Sequence, residues 1–219
     1  MKTIIFDMDG ILINSEPLWK IAEIEAFEKV GLNTKATDFA ESVGLRIDEV
    51  VQIWHDKVKW TNKTVKEVED DIVNIVIREI YAQGEEMEGV TDLLKSLKSK
   101  GYKIGLATSS YQRIIDAVLD KLNIGTYFDV VHSAEFEKFG KPHPAVFMTT
   151  ADRLNVKYSE CLVFEDSLNG VISAKAARMK VVAVPEDCNG TNHKLIIADL
   201  ILNSLAEFDV EKIDSLFEG

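Results

Sequence analysis

Along this chain of 219 residues the spacing of apolar positions changes character twice. A short apolar run, Ile4-Ile5-Phe6, reads as a strand. Much further on, from residue 90, helical and strand-like spacings alternate. Val90, Leu93, Leu94 and Leu97 recur at helical intervals and stop at Gly101. Residues 102–107 then predict a buried strand and 111–122 a helix. Val130-Val131 predicts a short strand, and 144–154 a helix with proline in its first turn. Leu162-Val163-Phe164 is a strand leading into Glu165-Asp166. Residues 168–179 predict a helix of small residues, 181–184 a strand, 199–202 a last strand, and 205–217 a closing helix. Such alternation argues for an α/β fold, a parallel sheet covered by helices.

Residues 15–82 break that rhythm. Leu18, Ile21, Ala22, Ile24 and Phe27 form one broad helical face that ends near Gly31. Val65, Val68, Ile72, Ile75, Val76 and Ile80 form another. With no strand pattern between them, this segment reads as a helical insertion set over the end of the first strand. The organisation expected is a core of residues 1–14 and 83–219, with 15–82 inserted. Asn14-Ser15 and the stretch 84–89 are the expected hinges.

Composition narrows the class. Hydrophobic residues make up 46% and charged ones 28%, ordinary for a globular protein with a substantial core. The net charge of −12 comes with no basic stripe, which argues against nucleic-acid or anionic-membrane partners. Asp7 and Asp9 cut the first apolar run short, so it is not expected to be a signal peptide, and no run suits a membrane span. Cys161 opens an apolar run and Cys188 lies in a polar stretch, with no metal-ligand spacing. A cytoplasmic protein is expected, with a monomer as the default state.

The chemistry is written at strand ends, where open α/β sheets bind ligands. Asp7 and Asp9 flank Met8 just beyond the first strand, and alternation would aim both carboxylates one way. Gly10 then permits a sharp turn. Two carboxylates in one crevice need a cation or a shared proton. Thr108-Ser109-Ser110 follows the second strand at a helix entry and suits a phosphate. Lys141 lies between Gly140 and Pro142, in a loop stiffened by Pro142 and Pro144. Glu165-Asp166-Ser167 adds carboxylates that, with Asp7, could hold Mg²⁺ through oxygen. Each element alone has a plain structural explanation: a solvated turn, a helix cap, a surface lysine, an exposed acidic pair. Their occurrence together, each at a strand end, does not.

These four stations resemble the signature of the haloacid dehalogenase superfamily, and the likeness runs over essentially the whole chain. The strings 6–10 (Phe-Asp-Met-Asp-Gly), Ser15-Glu16-Pro17, 140–144 (Gly-Lys-Pro-His-Pro) and 165–170 (Glu-Asp-Ser-Leu-Asn-Gly) are similar to its β-phosphoglucomutase-like branch. Within that branch, 15–19 and 44–48 look most like bacterial hexitol-phosphate and 2-deoxyglucose-6-phosphate phosphatases. The resemblance implies a Rossmann-like core with a helical cap and Mg²⁺-dependent hydrolysis of a small sugar phosphate. It implies that Asp7 attacks phosphorus to form an aspartyl phosphate. It further implies that Asp9 is the acid and base, that Thr108, Ser109 and Lys141 hold the phosphoryl group, and that Asp7, the Asp9 carbonyl and Asp166 bind the metal, with Glu165 direct or through water.

Asp9 separates the candidate activities. A sugar alkoxide leaving group needs a proton, whereas a halide does not, so ester hydrolysis fits better than dehalogenation. Phosphoryl transfer between sugar hydroxyls is the alternative. The mutase has a cap histidine ten residues past its acid/base aspartate, where this chain has Trp19, which cannot accept a proton. Arg46 is a candidate grip on a second polar part of the substrate, or a surface arginine at a loop–helix junction. Trp19 is expected over the site or in the core, and Glu16 on substrate hydroxyls or favouring a helix start. None of His55, His132, His143 and His193 has zinc-like spacing. A receiver-type signalling module would share the aspartate, metal ligands and lysine, but has neither the insertion nor Asp9.

Overall fold

A computed structural model describes residues 2–34, 44–185 and 195–218. Cys188 and His193 lie outside them. Six strands form one parallel sheet in the order β3-β2-β1-β4-β5-β6. They are β1 (Thr3–Phe6), β2 (Lys103–Thr108), β3 (Val130–Ser133), β4 (Cys161–Glu165), β5 (Lys180–Ala183) and β6 (Leu200–Ile201). The chain winds outward from β1 in one direction, then crosses over to β4 and winds out in the other. The crevice at such a reversal opens at the strands' C-terminal ends. Register aligns Phe6 with both Leu106 and Phe164, so residues following β1 and β4 emerge side by side.

Alternation along the strands feeds two cores. Ile4, Phe6, Ile104, Leu106, Leu162 and Phe164 face one layer; Ile5, Ala107, Cys161 and Val163 face the other. Phe6 and Phe164 stack with ring centroids 4.9 Å apart, which locks the two central strands just below the crevice. The helices covering the sheet are α4 (Val90–Ser99), α5 (Gln112–Leu122), α6 (Ala145–Arg153) and α7 (Leu168–Ala176).

Between β1 and α4 the chain forms α1 (Glu16–Glu28), α2 (Ile47–Val58) and α3 (Val65–Gln83). The first and third match the two apolar faces read from the sequence. In α1, however, Ile21 is exposed, and the buried stripe runs through Leu18, Ala22, Ala26 and Phe27. The second helix is one that sequence periodicity did not predict. Only Ile47, Val50 and Val51 are buried along it, too short a stripe to stand out among Asp48, Glu49, Gln52 and His55. His55 is half-buried against Trp60, with ring centroids 4.7 Å apart.

The connectors on either side of these helices are tied to each other. Asn14 N–H donates to Glu85 C=O at 3.0 Å, and Met87 N–H to Leu12 C=O at 3.1 Å. Ile13 and Glu86 thus form an antiparallel bridge at the base of the helical layer. No helix among the described residues is long and apolar enough to cross a membrane.

The expected closing helix over 205–217 is absent. Three 3₁₀ turns replace it: Leu205–Glu207, Val210–Lys212 and Asp214–Phe217. Ser204 accepts from Ala206 N–H and Asp209 from Glu211 N–H. Such local side-chain caps restart the chain as short turns and compete with a continuous helix.

Candidate active site

Strand β1 ends at Phe6, one residue before the first aspartate. Asp7 N–H still donates to Phe164 C=O at 3.0 Å, which holds its side chain beside the end of β4. Asp9 owes its position to a tight turn, not to the pleat expected from sequence. The N–H groups of Ile11, Leu12 and Ile13 all converge on Met8 C=O, and Gly10 N–H donates to Ile13 C=O. Met8 is fully buried in the core. Gly10 sits at φ +69°, and a Cβ there would collide with the Asp166 carboxylate. The turn therefore needs glycine for its conformation and for the space it leaves to Asp166.

Lys141 is the positive centre of the site. Its fully buried ammonium lies 2.5 Å from Glu165 Oε1 and 3.0 Å from Asp7 Oδ1. Glu165 is held from its other oxygen by Ser167, whose N–H donates at 2.9 Å and whose hydroxyl donates at 3.1 Å. Gly170 provides the floor: a Cβ at that position would overlap the Glu165 carboxylate. In the sequence Ser167 and Gly170 are parts of one motif. Their physical task, cradling Glu165, was visible only as the spacing of a small residue five positions on.

Asp7, Glu165 and Asp166 each offer a carboxylate oxygen, and these oxygens all lie within 4.8 Å of one another. Burial, reinforced by the charges of Glu165 and Asp9, pushes the Asp7 carboxyl up to about 8 even with Lys141 opposing it. Burial and the same neighbours raise Asp166 well above the usual carboxylate range. Burial alone would lower Lys141, but Asp7 and Glu165 outweigh it and keep the ammonium charged. Three carboxylates against one ammonium leave an excess of negative charge that a divalent cation would cancel. The donor set is all oxygen, which suits a hard cation. The residues present fit such an ion.

Asp9 lies outside this cluster through its side chain. Trp19 Nε1–H donates to Oδ1 at 2.9 Å, and Ser110 Oγ–H donates to Oδ2 at 2.7 Å. Ser110 is a contact that sequence reasoning passed over in favour of its neighbours. Thr108 is buried, and its hydroxyl accepts from Ser110 N–H at 3.1 Å. Ser109 donates its hydroxyl to Gly44 C=O at 2.9 Å, tying the β2–α5 loop to the entry of α2.

The remaining candidates divide. Glu16 is exposed at the first position of α1. Arg46 is drawn into the protein: its Nη1 donates to Ala134 C=O at 3.1 Å and Glu137 C=O at 2.8 Å. Its Nη2 donates to Asp48 at 2.8 Å, so this arginine clasps the loop after β3. His132 is buried and paired with Glu137 at 2.7 Å, while exposed His143 accepts from Ala145 N–H at the start of α6.

The chain as a whole has known relatives. The model of the haloacid dehalogenase-like hydrolases matches residues 1–178, and the chain belongs to that family. Hexitol phosphatase B of Escherichia coli K12 is 34% identical over 210 residues, 95% of either chain. A phosphorylated carbohydrates phosphatase of Thermotoga maritima is 35% identical over 184 residues, covering 81% of this chain and 82% of its own. Among solved structures, β-phosphoglucomutase from Clostridium difficile superposes with a TM-score of 0.83 at 28% identity, over 99% of this chain and 97% of that one. The chain is thus a phosphatase of this family, built on a parallel α/β sheet.

Proposed function

We propose that this protein hydrolyses the phosphate esters of small sugars or sugar alcohols, among them hexoses, hexitols and 2-deoxyhexoses, in the presence of Mg²⁺. The observation that carries the proposal is the pairing of two differently held aspartates. Asp7 faces Lys141 and the acidic cluster, while Asp9 is set apart by hydrogen bonds from Trp19 and Ser110. Environments that separate two carboxylates in this way suit one for attack and the other for proton transfer.

In this mechanism an Asp7 oxygen attacks phosphorus in line and the ester oxygen departs, taking a proton from Asp9. The aspartyl phosphate is then cleaved by a water that Asp9 deprotonates, which frees phosphate, restores the Asp7 carboxylate and returns the proton to Asp9. Splitting the hydrolysis makes each step easier. Lys141, the Thr108 hydroxyl and the Ser109 amide would hold the phosphoryl oxygens. Mg²⁺, held by Asp7, Asp166 and the Asp9 carbonyl with Glu165 behind them, would supply charge neutralisation. We take residues 15–82 as a cap that closes over 1–14 and 83–219, with the paired connectors as its stalk, and a monomeric cytoplasmic protein as the working form. Trp19 supports hydrolysis over transfer between sugar hydroxyls, because an indole offers no base to a second hydroxyl.

Phosphate release from a panel of phosphorylated hexoses, hexitols and 2-deoxyhexoses, with Mg²⁺ and with excess EDTA, tests this reading. We expect release with Mg²⁺ and a fall to background with EDTA. Isomerised sugar phosphate without free phosphate would favour the mutase. Release indifferent to EDTA would contradict the metal assignment.

A further inference from the structure

We infer that Glu23 is a specificity-determining residue, whose carboxylate accepts hydrogen bonds from hydroxyls of the substrate's carbon chain. This rests on the sugar-phosphate reading above and names the residue that would recognise the sugar end. Glu16, Trp19 and Glu23 follow one another at i, i+3 and i+7, and so share one stripe of α1. Trp19 fixes where that stripe looks, because its indole N–H reaches Asp9 at 2.9 Å. Glu23 stands one turn further along, about 6 Å away by helical rise. We place the part of a substrate remote from its phosphate along that step.

The surroundings of Glu23 are unusual for a carboxylate. It is half-buried beside the fully buried Ala22 and Ala26. Among the described residues it has no ion-pair or hydrogen-bond partner. Burial alone pushes its carboxyl up to about 7, with no cation or donor named among the causes. The residue is nevertheless only half-buried, not sealed in the core. A carboxylate held this way costs stability unless something donates to it, and packing alone would be served better by another alanine or leucine. An anion is a poor partner, since Asp7, Asp9, Glu165 and Asp166 already crowd this end of the molecule. Neutral hydroxyls, which only need an acceptor, are the matching chemistry.

The test compares Glu23→Ala and Glu23→Gln with the unmodified enzyme on a hexitol phosphate and on phenyl phosphate, which has no hydroxyls. Hydrogen bonds to a charged acceptor predict that the ratio of the two kcat/KM values falls roughly ten- to a hundredfold in Glu23→Ala. The change should lie mainly in KM for the hexitol ester. Glu23→Gln, which keeps an acceptor oxygen, should fall less. An unchanged ratio in Glu23→Ala, whether both substrates lose equally or neither does, would overturn the inference. Should the unmodified enzyme cleave phenyl phosphate but no phosphorylated sugar or hexitol, the sugar reading itself fails, and this inference with it.

Discussion

Asp7→Asn is expected to lower kcat by about five orders of magnitude while leaving the fold intact, in line with the loss of a covalent nucleophile elsewhere. The amide keeps the shape of the carboxylate but lacks an anionic oxygen to attack phosphorus. Its effect on stability should run the other way. Ionised Asp7 is crowded by Glu165 and Asp9 in a buried position, and its carboxyl is held up at about 8. Removing that charge relieves repulsion, so in EDTA the variant should melt at or above the temperature of the unmodified protein. Lost turnover with unreduced thermal stability separates a chemical role from a structural one. Near-normal turnover would remove Asp7 from the mechanism.

Lys141→Met is expected to have the largest effect on stability. The side chain is almost completely buried, and it is the cation between Asp7 and Glu165. Stripping one partner from a buried ionic cluster costs about 3–5 kcal/mol, on the order of a 10 °C fall in Tm for a protein of this size. Phosphate turnover should fall as well, since the phosphoryl charge loses its lysine. The loss carries a pH signature. Asp7 titrates at about 8 when folded, against an ordinary 3.8, so the folded state binds the proton more tightly than the unfolded chain. Such a group contributes most below pH 4, and its contribution is lost as pH rises through 8. Without Lys141 the carboxyl should rise further. The Tm gap between variant and parent, measured in EDTA, should therefore stay level from about pH 4 to pH 8, where both lose stability alike, and widen above pH 8, where only the variant's carboxyl still titrates. A gap that does not change with pH would mean that Lys141 acts through packing instead of charge.

Much of the catalytic layer was legible in the sequence because it depends on short-range rules. Strand β4 ends at Glu165 and β2 at Thr108, as continuous apolar runs bounded by polar residues predict. The parallel register then brings these strand ends together, so local motifs become one site. What escaped the sequence is long-range or marginal. Arg46 meets the carbonyls of Ala134 and Glu137 across about ninety positions, and no spacing rule encodes that clasp. The hydrogen bond from Trp19 to Asp9 requires α1 to fold back over the first strand. Helix α2 is held by packing on its neighbours more than by its own stripe, and the 3₁₀ turns after β6 arise where Ser204 and Asp209 cap locally. The position of Asp9 shows the limit most clearly: alternation suggested a location beside Asp7, but a turn around Met8 C=O produces it.

The central claim is that phosphate passes through a covalent bond to Asp7, and trapping that bond tests it most directly. Asp9→Asn should slow the second step by removing the group that deprotonates water; with acetyl phosphate, whose leaving group needs no proton from Asp9, the acyl phosphate should accumulate. After brief incubation with Mg²⁺ and acetyl phosphate, acid quenching and peptide mass spectrometry should find one phosphoryl group on Asp7, removable by hydroxylamine. A phosphoryl group on another residue, or phosphate release by the variant with none ever bound to Asp7, would contradict the account.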